Sequence, residues 1–141
     1  MFSTATSQNP LHWLPQDTTP EIAAALRDLA VDYPQLVEGE SVGRRIRFRK
    51  VEAPAGGGIT SQVVRDGREY EIRYSNLTGA LRGVGTALAG LASDEGASFT
   101  RLGIMLDCSR NKVMKPSHFK HWLRRLALMG YTYVLDRKSV V

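Results

Sequence analysis

The feature that most constrains the fold of this chain is a short apolar run that ends abruptly in polar residues. The run covers residues 102–106 and shows no alternation of apolar and polar positions. Such a run is typical of a strand buried on both faces, as in a parallel sheet. It is followed at once by Asp107, Cys108, Ser109, Arg110 and Asn111. The sequence therefore predicts a buried strand that delivers a carboxylate, a hydroxyl and a guanidinium at its C-terminal end.

The next residues predict a helix and a second strand. Residues 115–129 contain Pro116 at a suitable first helical position and are followed by Gly130, which suits a C-terminal cap. Residues 131–135 read as the second strand, and together the three elements indicate a βαβ unit with parallel strands. In parallel folds, chemistry gathers at the C-terminal ends of the strands. The expected apolar face of the helix consists of Phe119, Trp122, Leu123, Leu126 and Met129.

The sequence of this unit resembles glycoside hydrolase family 20, the β-N-acetylhexosaminidases. The resemblance lies in G-I-M-L-D-C-S-R-N, which starts at Gly103, and in L-A-L-M-G-Y, which ends at Tyr131 and is similar to a bacterial branch of the family. It implies strand one, helix one and strand two of a catalytic (β/α)₈ barrel. A complete barrel needs about 250 residues, and this chain has 141. The expected fold class is therefore an α+β accessory domain followed by the first β-α-β of a truncated (β/α)₈ barrel.

The resemblance also implies an activity. Family members are retaining exo-enzymes that remove terminal N-acetylglucosamine or N-acetylgalactosamine from a β-linked N-acetylhexosaminide, without a metal or other cofactor. Their catalytic Asp-Glu pair is expected downstream of Val141, so the 141-residue chain alone is expected to be inactive. The residues expected at the active-site rim, in contact with substrate, are Arg101, Asp107, Ser109, Arg110 and Asn111.

Two of these assignments have alternatives. Asp107 and Arg110 suit a structural ion pair that holds the strand end as well as they suit a sugar site. The family's sugar-binding arginine directly precedes the glycine, whereas here Leu102 precedes Gly103 and Arg101 is one place earlier. A shift of one residue turns a strand side chain to the opposite face, so sugar recognition by Arg101 is expected to differ from the family pattern.

Residues 18–92 are expected to form the α+β accessory domain. A helix begins near Thr18, whose spacing from Glu21 suits a capping box, and runs to about residue 32. Residues 42–51 alternate, which predicts a half-buried strand of an antiparallel sheet with Val42, Ile46 and Phe48 inward. Residues 62–74 predict a hairpin on the Asp66-Gly67 turn, with Tyr70, Ile72 and Tyr74 facing inward.

A second helix is expected over residues 77–92, capped by Ser75 or Asn76. Its apolar stripe is expected to pack on the sheet and contains Leu77, Leu81, Val84, Leu88 and Leu91. Gly79, Gly83 and Gly90 lie opposite this stripe and are expected to face the following domain closely. Residues 1–17 are expected to be a loose lead-in from which Leu11, Trp13 and Leu14 dock as a short strand. Residues 93–98 are expected to be the linker before the barrel segment, residues 99–135.

Residues 136–141 break the family pattern and are expected to be a non-native tail. The string Asp-Arg-Lys-Ser-Val-Val followed by a stop is encoded by GAT-CGG-AAG-AGC-GTC-GTG-TAG, which matches a common sequencing-library adapter. We expect the native gene to continue beyond this point.

Composition favours a cytoplasmic globular protein. No apolar run approaches the ~18 residues of a membrane span, and the N-terminus lacks the basic and apolar regions of a signal peptide. The single cysteine cannot form an internal disulfide. The net charge is +5, and an arginine cluster raises the alternative of a small basic module that binds nucleic acid or an acidic partner. The members of this cluster are Arg44, Arg45, Arg47 and Arg49. Because no aromatic residues accompany them on the same exposed face, nucleic-acid binding is not expected.

Other motifs favour structural roles. His118 and His121 are three apart on a helix but lack a third metal ligand, which favours exposed histidines over a metal site. Cys108 lacks the signature of a catalytic Cys-His pair and suits a buried structural thiol. The Asn76-Leu77-Thr78 sequon suits a helix cap, and Gly83-Val84-Gly85 lies inside a helix rather than in a nucleotide-binding turn.

Overall fold

The computed structural model describes residues 10–97, 103–107 and 115–137. These residues form two sheets and three α-helices. Six strands lie in one sheet in the order β2-β1-β3-β5-β4-β6, and two lie in a second sheet. The strands are β1 (Leu11–Trp13), β2 (Leu36–Glu38), β3 (Arg44–Lys50), β4 (Ile59–Asp66), β5 (Glu69–Tyr74), β6 (Ser93–Ala97), β7 (Gly103–Asp107) and β8 (Tyr133–Arg137). The helices are α1 (Pro20–Leu29), α2 (Leu77–Leu88) and α3 (Pro116–Leu128).

The six-stranded sheet is mixed, and the expectation of an antiparallel sheet is wrong for β3. Strand β3 runs parallel to β5, with Ile46 opposite Tyr70 and Phe48 opposite Ile72. β1 is parallel to both β2 and β3, whereas β4 is antiparallel to β5 and β6. The alternation in β3 correctly indicated one buried face, but alternation says nothing about the direction of the neighbouring strand. Because the β4–β5 hairpin places β5 next to β3, the chain makes two reversals between them and they end up parallel.

The hairpin and its inward residues agree with the sequence prediction. Asp66 pairs with Glu69 across a two-residue loop, and Gly67 adopts a positive φ of 61°, as the tight turn requires. Tyr70, Ile72 and Tyr74 are buried. Val42, expected to point inward, precedes β3 and is 83% exposed. The strand therefore begins two residues later than the alternating pattern indicated.

The two segments expected to flank the domain both contribute strands to its sheet. The short strand predicted in the lead-in is confirmed as β1, which lies between β2 and β3. Leu11 and Trp13 are fully buried in it, so this part of the segment belongs to the core. Residues 93–97, in the predicted linker, form β6 and pair with β4. The sequence Ser-Asp-Glu-Gly-Ala has low strand propensity, and its backbone hydrogen bonds to the open edge of β4 are what form the strand.

Helix α1 is capped by Thr19 rather than Thr18. The Thr19 hydroxyl accepts a hydrogen bond from the backbone N–H of Ile22 at 3.2 Å, and Pro20 occupies the first turn. The helix ends at Leu29, three residues before the predicted boundary. Ile22, Leu26 and Leu29 are buried in the same core cluster as Trp13.

Helix α2 approaches the sheet through glycines, so the predicted direction of its glycine face is wrong. A Cβ added to Gly83 would lie 2.5 Å from Cγ2 of Ile72, and one added to Gly79 would overlap the carbonyl oxygen of Thr60. The smooth side of the helix therefore faces its own sheet and not a following domain. Leu81 and Val84 are buried in the core as expected, but Leu91 lies beyond the helix end and is 59% exposed.

Two arginines fix the C-terminal end of α2 over β5. Arg44 donates to the carbonyl oxygen of Ala87 at 2.8 Å, and Arg65 donates to that of Gly90 at 3.2 Å. Both guanidinium carbons lie 5.8 Å from the ring centroid of Tyr70. The two cations satisfy carbonyls at the negative end of the helix dipole, which anchors α2 on the sheet.

The start of α2 is capped by Asn76, one of the two predicted candidates. Its side-chain oxygen accepts from the backbone N–H of Gly79 at 2.9 Å, whereas Ser75 Oγ accepts from the N–H of Thr60. We expect Asn76→Ala to lower the free energy of unfolding by about 1 kcal/mol in urea titrations. Asn76→Asp retains a capping oxygen and is the matched control. Equal stabilities of the two variants would contradict this assignment.

Candidate functional site

The candidate site is built on a parallel βαβ unit. Strands β7 and β8 pair in parallel, from Gly103 opposite Tyr133 to Asp107 opposite Arg137, and α3 connects them along the chain. The order and direction of these elements confirm the predicted strand, helix and strand. The second strand begins at Tyr133, two residues later than expected, and extends to Arg137.

The predicted rim residues are only partly within the described chain. Asp107 is the last residue of β7, which places it at the C-terminal end of a parallel strand, the end where binding groups collect in such folds. Four predicted site residues lie outside the described residues, namely Arg101, Ser109, Arg110 and Asn111. Cys108 lies outside them as well.

Helix α3 buries a narrower face than its sequence predicted. Leu126 and Leu128 are buried, but Leu123 is 38% exposed and Met129 is 49% exposed. Leu128, which was not part of the predicted face, belongs to the core cluster of the six-stranded sheet. The predicted face therefore missed the side of α3 that packs on α2.

The contact between α2 and α3 joins the βαβ unit to the six-stranded sheet. A Cβ added to Gly85 would overlap the carbonyl oxygen of Leu128 and lie 3.2 Å from its carbonyl carbon. The backbones of the two helices therefore touch at a position where any side chain would separate them. We call this contact, between Gly85 and Leu128, the α2–α3 joint. The sequence predicted that glycines of this helix lie close to the following domain, but it assigned that contact to Gly79, Gly83 and Gly90 rather than to Gly85.

An ion cluster between α1 and α3 supports this joint. Arg124, only 13% exposed at its side chain, contacts Asp28 Oδ2 at 3.2 Å and Asp32 Oδ2 at 3.0 Å. His121 Nδ1 lies 3.1 Å from the same Asp32 oxygen. The hydrogen bond from Arg124 is the main reason that the pKa of Asp32 lies below its ordinary value. The signal that could have revealed the cluster is the spacing of Asp28 and Asp32, four residues apart.

The two histidines of α3 do not form a metal site with their neighbours. His118 Nε2 accepts from the indole N–H of Trp122 at 3.1 Å, and His121 turns toward Asp32. Within residues 10–97, 103–107 and 115–137, no group of three or more His, Cys, Asp or Glu side chains could hold a metal ion.

The ion cluster predicts an acid sensitivity of α3. A carboxyl group whose pKa is lowered by folding contributes stability above its unfolded pKa, and this contribution is lost as the pH falls through the folded value. For Asp32, this window lies below about pH 4. We expect the amide protection factors in residues 116–128 to fall in this window, and Arg124→Met to reduce that fall.

The matched control for this prediction is Arg27→Met. Arg27 pairs with Glu38 at 2.8 Å and lowers the pKa of that carboxyl, and this ion pair includes neither Asp28 nor Asp32. Its substitution should leave the acid response of α3 unchanged. A fall in protection factors that Arg124→Met and Arg27→Met alter equally would show that the cluster does not control α3.

The arginine cluster of β3 is divided between the two faces of the sheet. Arg44 points to the helical side, where it reaches α2. On the opposite face, Arg45 contacts Asp17 at 2.6 Å and Arg47 lies 3.8 Å from Glu69. The four arginines therefore do not form one continuous basic surface. Within the part of the chain that the structure describes, no helix has the length and apolar character needed to cross a membrane.

Comparisons with known proteins find similar folds only among solved structures. A family 20 exo-β-N-acetylglucosaminidase from Vibrio harveyi, in complex with N-acetylglucosamine, matches 93% of this chain and 22% of its own, with 18% identity and a TM-score of 0.61. An inactive mutant of the enzyme from Vibrio harveyi matches with 16% identity and a TM-score of 0.59, over 92% of this chain and 22% of its own. A glycoside hydrolase of family 138, an enzyme targeting pectin rhamnogalacturonan II, matches 93% of this chain and 24% of its own, with 9% identity and a TM-score of 0.56. No family model matches the chain, and no curated protein does.

Proposed function

We propose that this chain is the amino-terminal part of a retaining exo-β-N-acetylhexosaminidase. The observation that carries the proposal is the agreement of two independent signals. The fold of nearly the whole chain is similar to about a fifth of a family 20 N-acetylglucosaminidase, and the L-D-x-S-R sequence that resembles this family begins at the end of strand β7, where Asp107 is the last residue. The substrate class is a β-linked N-acetylglucosaminide or N-acetylgalactosaminide.

In the proposed reaction, the substrate supplies its own nucleophile. The acetamido oxygen attacks the anomeric carbon while the bond from that carbon to the leaving oxygen breaks, and a general-acid Glu gives its proton to the leaving oxygen. Water then opens the cyclic intermediate from the opposite side, which restores the starting configuration. The acetamide-orienting Asp and the Glu belong to later strands. Asp107 belongs to the rim that shapes the sugar site, with Ser109, Arg110 and Asn111 following it.

The six-stranded sheet and its helices have a supporting role in this proposal. Barrel strands need helices packed outside them, and α3 is the helix between the first two strands. The α2–α3 joint and the contacts of Arg124 with Asp28 and Asp32 hold that helix against the rest of the chain. The alternative of a basic binding module has less support, because Arg45 and Arg47 face the carboxylates of Asp17 and Glu69.

The experiment that tests the proposal uses the longer product of the same reading frame, recovered from genomic DNA. We expect this product to hydrolyse nitrophenyl N-acetyl-β-glucosaminide. It should act on nitrophenyl β-glucoside, which lacks the acetamido group, about a hundredfold more slowly or worse, since the positioned internal nucleophile is then missing. Equal rates on both substrates, or a genomic stop codon directly after Val141, would contradict the proposal.

The 141-residue chain alone should not hydrolyse either substrate. Two strands cannot close a barrel around a sugar, and loss of the general acid costs about a hundred- to ten-thousandfold on its own. The measurement is nitrophenol release by the purified chain against buffer, with Asp107→Ala as the matched variant. Turnover clearly above buffer that Asp107→Ala abolishes would show that the catalytic centre lies within these residues.

A further inference from the structure

A shallow groove of about 190 Å³ crosses strands β3, β5 and β4 on the face of the six-stranded sheet opposite α1 and α2. We call it the outer groove; among the residues that line it are Arg47, Val64, Asp66, Glu69, Glu71 and Arg73. Their strand neighbours Ile46 and Ile72 are buried on the other face, in the core beneath the helices. Since α2 lies between that face and α3, the outer groove faces away from the βαβ unit.

The charges in the outer groove have both signs, and only part of them is paired. Arg73 Nε donates to Glu71 Oε1 at 2.6 Å, and a second nitrogen of Arg73 donates to Gln62 at 3.4 Å. The guanidinium of Arg47 lies 3.8 Å from the carboxylate of Glu69, which is longer than a hydrogen bond. These two side chains are 52% and 51% exposed. The groove therefore offers a ligand both guanidinium donors and carboxylate acceptors.

This mixture of groups suits a neutral molecule that is rich in hydroxyl groups. A hydroxyl both donates and accepts hydrogen bonds, so it can bridge a guanidinium and a carboxylate, whereas an anion would meet the carboxylates of Asp66, Glu69 and Glu71. Val64, half-buried and opposite Glu71 in the sheet, offers an apolar contact for the C–H groups of a sugar ring.

The size of the outer groove indicates that it holds part of a longer molecule. Pockets that enclose a whole small ligand have volumes of about 300–1,000 Å³, and this groove is smaller and open. It fits one ring of a saccharide chain whose neighbouring rings continue along the exposed sheet.

We propose that the outer groove binds one ring of a neutral, β-linked N-acetylglucosaminide chain, as a second contact for the polymer that the enzyme shortens. The identity of the chain rests on the proposed function. Arg47 and Arg73 donate to hydroxyl or acetamido oxygens of the ring, and Glu69 accepts from a hydroxyl. A site that holds one part of a chain raises the effective concentration of the rest near the catalytic centre.

The test measures saccharide binding by the 141-residue chain, which contains the outer groove. We expect a soluble β-1,4-linked N-acetylglucosamine tetramer to bind with a Kd of about 1 mM, the strength of a few exposed contacts. In NMR titrations, the amide shifts should concentrate at residues 47, 64–66 and 69–73. Arg47→Met should weaken binding about tenfold, because a charged hydrogen-bond donor is lost.

Arg49→Met is the matched control for Arg47→Met. Arg49 is exposed on the same strand and the same face of the sheet but does not line the groove, so its substitution should weaken binding less than about twofold. Both substitutions are at exposed positions and should change the free energy of unfolding by about 0.5 kcal/mol or less, so a loss of binding cannot be a loss of folding.

Several outcomes would overturn the inference. One is the lack of saturable binding below about 10 mM, and another is equal weakening by Arg47→Met and Arg49→Met. Binding of a galacturonic acid tetramer as tight as that of the neutral tetramer would show a general cationic surface. Amide shifts confined to the βαβ unit would place the sugar elsewhere. Nitrophenol release by the longer product tests the proposed function separately, because a single sugar does not need the outer groove.

Discussion

Trp13→Ala should destabilise the chain strongly, by about 3–5 kcal/mol. Trp13 is 1% exposed and lies in β1, which pairs with β2 on one side and β3 on the other. Removing its ring leaves a cavity where helix α1 meets the sheet, since Leu26 and Leu29 belong to the same cluster. The loss is a large part of the whole stability of a small domain, about 5–15 kcal/mol.

Trp122→Ala is the matched control, because the chain has only two tryptophans. The indole N–H of Trp122 bonds within its own helix, to His118, and the ring is not part of the core cluster. We expect a loss of about 1 kcal/mol or less there. Urea titrations followed by circular dichroism compare the two variants. If Trp13→Ala proved as mild as Trp122→Ala, β1 would be a dispensable lead-in and not part of the core.

Gly85→Ala should release α3 from the rest of the chain. Alanine stabilises a helix interior by up to about 1 kcal/mol relative to glycine, so α2 itself gains from the substitution. The added methyl group, however, would overlap the carbonyl oxygen of Leu128, and a backbone atom cannot rotate away. We expect a net loss of about 1–3 kcal/mol, as for overpacked sites, with faster amide exchange concentrated in residues 116–128.

Gly79→Ala is the contrasting variant in the same helix. Its methyl group would overlap the carbonyl oxygen of Thr60 in β4, so the damage should appear as faster exchange in α2 and β4 rather than mainly in α3. The two variants make the same chemical change and gain the same helix propensity. Identical exchange patterns would contradict the assignment of Gly85 to the joint and Gly79 to the sheet.

The parts of the fold that the sequence predicted well are local. The turn at Asp66-Gly67 and the alternation through Tyr70, Ile72 and Tyr74 depend on residues within ten positions of one another. The cap of α2 at Asn76 and the boundaries of α3 are local as well. In each case backbone geometry and side-chain chemistry act within one element, and no distant partner needs to be known.

The parts that the sequence could not predict depend on distant partners. The parallel pairing of β3 with β5 follows from the order of the strands, which alternation does not encode. Strand β6 has low strand propensity and forms by pairing with β4. Gly79, Gly83 and Gly90 were predicted to form a face without side chains, but which neighbour each glycine of α2 meets depends on how the helix is rotated about its axis.

For the candidate site, the sequence predicted that Asp107 lies at the end of a parallel strand. It did not predict the contacts that hold α3, the helix that follows this strand. No sequence motif indicates the joint between Gly85 and Leu128, because glycine has no side chain and the group it meets is a backbone carbonyl. The contact of Arg124 with Asp28 and Asp32 joins residues 96 and 92 positions apart in the chain. Both features became visible only with α3 placed against α1 and α2.

The most direct test of the central claim is an experimental structure of the longer product with N-acetylglucosamine bound. We expect β7 and β8 to be neighbouring parallel strands of a closed eight-stranded barrel, with Asp107 at the mouth that holds the sugar and Gly85 against Leu128. A structure in which β7 and β8 extend the six-stranded sheet, or belong to an open one, would contradict the claim. A sugar bound far from the C-terminal end of β7 would contradict it equally.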